Sequence, residues 1–123
     1  MALSLEELYR GTCGSVCALV VDGDSEVKRG LDTLDAGAVA KLRGIIRRLA
    51  ESGFIRNEQK FRRLEAGIHE IKLHNPPVRL FCFEHGNLWV CTHMARKPGR
   101  RHLKDHVDRV KALRERVRME GMS

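Results

Sequence analysis

Between Gly67 and His93 three short runs, GIHEIKL, VRLFCFE and LWVCTH, follow one another with only HNPP and HGN between them. Such runs are too short for ordinary helices, and Pro and Gly-Asn breaks at this spacing turn a chain back on itself, which predicts a three-stranded antiparallel meander. A chain of 123 residues with 42% hydrophobic residues has material for one core. Every other element must then pack on this small sheet.

The run VCALVV, Val16 to Val21, is continuously apolar and rich in β-branched residues, as an interior strand is. DGDSE after it is turn chemistry. Ala38, Leu42, Ile45, Ile46 and Leu49 then form one apolar stripe, with Asp35 placed as N-cap and Gly53 just past the end, so a helix is expected over about residues 36 to 52. NEQKFRRL, capped by Asn57 and anchored by Phe61 and Leu64, reads as a second short helix, and SLEELYR near the start as another. From about Arg100, Leu103, Val107, Val110, Leu113 and Val117 recur with helical period on a basic helix. The expected fold is α+β: a small antiparallel meander with an N-terminal strand, packed against two N-terminal helices on one face, plus a basic C-terminal helix.

Charge is distributed unevenly. The chain carries 23 Lys and Arg against 16 Asp and Glu, a formal net charge of +7, yet residues 96 to 118 alone hold ten basic against three acidic side chains. A positive field gathered at one end suits a polyanion or an acidic protein partner. No run reaches the roughly 20 apolar residues of a membrane span, and MALSLEELYRG lacks the pattern of a signal peptide. A cytoplasmic protein with four reduced cysteines is expected, with Cys13 and Cys17 as small buried side chains rather than metal ligands. The six histidines have no metal-ligand spacing, and no metal or other cofactor is expected. Trp89, Phe81 and Phe83 belong to the core before they belong to any stacking surface.

The pieces Gly53, Lys60 to Leu64, IHEIKL, VRLFCF and WVCTHMARK, in this order, resemble the RelE/ParE superfamily of bacterial toxins, in particular its HigB or phage-like branch. The similarity runs from about Val16 to Arg118 as a single domain, and the first 15 residues stand outside it as an N-terminal extension. The resemblance implies a toxin of a toxin–antitoxin system that cleaves messenger RNA on the ribosome, without a metal, through the RNA's own 2′-hydroxyl. Its partners would be a cognate antitoxin, the ribosome and the message. Lys72 and Arg79 match the family's basic strand positions, while the final basic pair, Arg96 and Lys97, comes one residue early.

That reaction needs a group to take the hydroxyl proton, cations for the charge on the phosphorane, and an acid for the departing 5′ oxygen. Lys72, Arg79, His93, Arg96 and Lys97 are the candidate catalytic residues, with His93 expected at the rim, where the apolar strand turns basic. Arg100, Arg101 and Lys104 are the candidate RNA-backbone contacts. A two-residue turn at Gly86 and Asn87 sets Leu80 opposite His93 and so parts Arg79 from His93. A three-residue turn, His85 to Asn87, pairs them, and a single catalytic patch calls for that turn or for a bend at the strand end. Two other readings stay open: a non-nucleolytic inhibitor like the gyrase-directed ParE branch, and a phage-derived binding module without catalysis.

Overall fold

VCALVV lies inside a sheet, as its lack of polar alternation requires. In the computed structural model, which describes residues 2–122, the chain runs β1 (Leu3–Arg10), β2 (Ser15–Val21), α1 (Glu26–Asp32), α2 (Ala36–Ser52), β3 (Phe61–Glu65), β4 (Ile68–His74), β5 (Pro77–His85), β6 (Leu88–Arg96) and α3 (Arg100–Met119). The six strands form one mixed sheet in the order β1-β2-β6-β5-β4-β3. All neighbours are antiparallel except β2 and β6, which run parallel with Val16 beside Trp89. The fold is α+β.

Successive residues of a strand point to opposite faces, and both faces here are apolar. Leu80 and Cys82 of β5 point toward α2, where they join Leu42, Ile46 and Leu49, while Phe81 and Phe83 meet Val107, Val110 and Val117 of α3. The helices therefore occupy both faces, not one as expected. The reason is on β5: two phenylalanines on the second face need a cover, and α3 supplies it.

α2 has the expected bounds. Asp35 accepts a hydrogen bond from the Ala38 N–H at 2.8 Å, and Gly53, at φ 78°, closes the helix through its N–H to the Leu49 carbonyl. Each fully buried aliphatic side chain of its stripe contributes about 1.5–3 kcal/mol over an exposed one.

Two expected helices are strands. SLEELYR forms most of β1, the outermost strand, so the N-terminal extension completes the sheet; a bulge at Glu7/Tyr9 lets Leu8 and Tyr9 both reach the core beside α2. In NEQKFRRL, Asn57 caps a turn rather than a helix, its Oδ1 accepting from the Gln59 N–H and its carbonyl from Lys60 and Phe61. Phe61 then enters β3 opposite Ile71. The helix beside α2 is instead α1, seven residues capped by Ser25 within the stretch read as a turn.

All four cysteines are free thiols; Cys17, Cys82 and Cys91 are buried, but Cys13 is exposed rather than buried. Trp89, Phe81 and Phe83 are in the core, and the Trp89 indole donates to the Gly53 carbonyl at 3.0 Å.

His69 is packed among Phe54, Phe61 and Trp89, stacked on Phe61 at 4.5 Å, and neither ring nitrogen has a hydrogen-bond partner among the described residues. An unsatisfied buried polar group costs about 1–3 kcal/mol. His69→Leu is therefore expected to stabilise the fold by about 1 kcal/mol at neutral pH. Urea unfolding checks this; a lower midpoint would show that ring stacking outweighs the unmet nitrogens.

Candidate phosphate-binding site

Lys72 of β4 lies opposite Arg79 of β5, and Glu70 lies two residues before Lys72 on the same face. That face is the α3 side, shared with Ile68 and Phe81. Arg79 is 4% exposed, and its Nη1 donates to the carbonyls of Leu73 and Val78, both at 3.1 Å. Its Nε stands 3.2 Å from Oε1 of Glu70, and the same oxygen is 3.0 Å from Nη2 of Arg62 on β3. Both are ion-pair distances without the alignment of a hydrogen bond, and Oε2 of Glu70, a residue only 1% exposed, has no partner among the described residues. One buried carboxylate thus sits between two arginines.

Lys72, Lys97, Pro98 and Leu103 complete a hollow of about 120 Å³ over this trio. Four cations face one carboxylate there, so the hollow is strongly positive. Burial lowers the Lys72 ammonium below its ordinary range, Arg62, Arg79 and Lys97 push the same way, and Glu70 opposes them. A lysine so placed gives up its proton more readily than an exposed one.

α3 starts beside the hollow, into which its Leu103 projects. Gly99, at the N-cap, offers no side chain to the first turn, and that turn has no acidic residue. Arg100, Arg101 and Lys104 are exposed there. Cations at the positive end of a helix dipole repel it, and a bound anion relieves both. Farther along α3, by contrast, Arg109 pairs with Glu26 and Lys111 with Glu65.

Comparison with known families, curated proteins and solved structures finds no match to this chain.

Of the residues singled out in the sequence, the fold brings together Lys72, Arg79 and Lys97. Arg96 pairs with Val78 at the exposed end of β6, on the α2 side, and is parted from its neighbour Lys97. His93 is not at the rim: it is 2% exposed, covered by α3. Its ring stacks on Phe81 at 4.9 Å, its Nδ1 lies 2.8 Å from the Thr92 hydroxyl, and its Nε2 lies 2.9 Å from Nδ1 of His106. A hydrogen bond between two imidazole nitrogens needs one donor and one acceptor, so the contact favours a ring without its second proton. Burial first, then Arg109 and His106, lower the His93 pKa to about 3.

The turn also differs from the one a shared patch called for. It has two residues, Gly86 at φ 62° and Asn87, with His85 opposite Leu88. Arg79 and His93 nevertheless share a face, because a bulge at Thr92 restores the alternation: Cys82 pairs with Cys91, but Phe81 pairs with His93.

Glu70 and Arg62 were not anticipated. Glu70 had a readable signal, since in IHEIKL it stands in line with Ile68 on one face of the strand; Arg62 had none while its segment read as helix. Among the described residues, no His, Cys, Asp and Glu group is arranged to hold a metal, and no helix is long and apolar enough to cross a membrane.

Proposed function

We propose that this chain is a RelE-like toxin of the HigB or phage-like type, a metal-independent endoribonuclease that cuts messenger RNA on the ribosome in the cytoplasm and is restrained by an antitoxin. The observation that carries the reading is the hollow over Glu70, where Lys72, Arg79 and Lys97 converge with Arg62. A phosphodiester seated there meets several cations and only one carboxylate, itself shared by two arginines.

In this reading Lys72, in its neutral amine form, takes the proton of the 2′-hydroxyl, while the Glu70 carboxylate keeps Arg79 and Arg62 in place beside the phosphate. The 2′-oxygen attacks phosphorus, the bond to the 5′ oxygen breaks, and Lys97 donates the proton that the leaving oxygen requires. A 2′,3′-cyclic phosphate and a 5′-hydroxyl are the products. Arg79 and Arg62 offset the charge on the non-bridging oxygens. Arg100, Arg101 and Lys104 hold neighbouring phosphates. His93 enters as the residue that seats α3 over the sheet, and Arg96 stands apart from the reacting phosphate.

Translating ribosomes incubated with the protein, followed by mapping of message ends, test the proposal. Cleavage is expected, and Lys72→Ala is expected to slow it by about 10²–10⁴-fold. Intact message beside an active control toxin would overturn it. The burial of His93 favours one second reading, a non-nucleolytic inhibitor of the same type, which predicts growth arrest undiminished by Lys72→Ala.

A further inference from the structure

Lys72 borders a second cavity. On the α2 side of the same sheet lies a groove of about 430 Å³, floored by Ile45 and Leu73 and edged by Lys41, Arg48 and Lys60. Lys41, Gly44, Ile45 and Arg48 fall at helical spacing along one face of α2, so the groove follows the helix. No acidic side chain lines it, and among the described residues none of Lys41, Arg48, Lys60 and Lys72 takes part in an ion pair.

Gly44 supplies an independent observation. A glycine inside a helix is unfavourable relative to alanine and usually answers to a close approach. Here a Cβ at Gly44 meets nothing within 4 Å among the described residues, and none of them requires its absence. What the missing side chain leaves open is the groove.

We infer that this groove is a nucleotide subsite for the same RNA strand, with a base lying on the apolar floor beside Gly44 and its flanking phosphates held by Lys41, Arg48 and Lys60. The inference rests on the nuclease reading, and Lys72 joins the two sites: it lines the hollow over Glu70 on one side and the groove on the other. The size suits one nucleotide, and an apolar floor with a cationic rim suits a base with its phosphates.

Binding of a short fluorescein-labelled oligouridylate, followed by anisotropy over a range of salt, tests the subsite. Lys41→Ala/Arg48→Ala is expected to weaken binding about tenfold or more and to reduce the slope of log K against log salt by about 1.4, or ~0.7 for each phosphate no longer held. Gly44→Leu, which keeps every charge and improves helix propensity, is expected to weaken binding while raising the melting temperature. Unchanged affinity and slope in both variants, with Lys72→Ala weakening binding, would overturn the subsite and leave the nuclease reading standing. Oligouridylate binding that the groove variants weaken, on a protein that leaves ribosomal message intact, would instead sink the nuclease and keep the groove as an RNA site. Poly-glutamate binding abolished in the groove variants, with oligouridylate binding unchanged, assigns the groove to an acidic peptide and overturns the inference.

Discussion

Glu70→Gln is expected to lower stability by about 3–5 kcal/mol, the cost of removing one partner from a buried ion pair. The side chain of Arg79 is 5% exposed and, among the described residues, has no other carboxylate at pairing distance, so neutralising Glu70 leaves a buried guanidinium beside two backbone carbonyls. Arg62 loses the same partner but is 41% exposed in its side chain and can turn to water. Against a domain stability of about 5–15 kcal/mol the single change is severe. Equilibrium urea unfolding measures it directly. Replacing both partners, Glu70→Leu with Arg79→Met, removes the charges together and is expected to recover most of the loss. The double variant should fold yet fail to cut message. A stable double variant that retained full cleavage would show that the buried pair has no part in the chemistry.

Acid is expected to destabilise this protein well before its carboxylates are protonated. His69 is held down to a pKa of about 4 by burial and then by Arg63, and His93 to about 3 by burial and then by Arg109 and His106, both from an ordinary 6.5. Above pH 6.5 each ring is neutral whether the chain is folded or not, and the full stability is present. As pH falls below 6.5 the unfolded chain takes up protons that the fold refuses, so stability drops by about 1.4 kcal/mol per pH unit for each ring. The decline from His69 ends near pH 4 and that from His93 near pH 3. Urea midpoints measured across this range should fall steeply, and His69→Leu with His93→Phe should flatten the fall. An unaltered slope in that double variant would mean that neither ring is held neutral.

The elements legible in the sequence were those whose signal is local. α2 shows its stripe and both its caps, the meander shows its Pro and Gly breaks, and α3 shows its period. β1 and β3 were not legible. LEELYR and NEQKFRRL consist of good helix formers with apolar residues near helical spacing, and pairing with β2 and β4 overrode that preference. α1 is too short for a period to develop and contains Gly30, where a Cβ would come within 2.9 Å of the Met94 sulfur. At the site, Lys72 faces Arg79 because the HNPP break sets Leu73 opposite Val78, a register that strand order alone does not fix. The burial of His93 is not legible there, because it depends on one extra residue in β6 and on where α3, which begins at Arg100, comes to rest.

The parallel pairing of β2 with β6 has a temporal consequence. Ser15 to Ala18 hydrogen-bond beside Leu88 to Cys91, so the middle of the sheet cannot close until more than seventy further residues have been made. Contacts so distant along the chain slow folding, since the intervening segment must be ordered first. The hollow over Glu70 also needs Lys97 and Leu103, which follow β6. A growing polypeptide therefore carries no finished cationic pocket until Leu103 has been made and the sheet has closed.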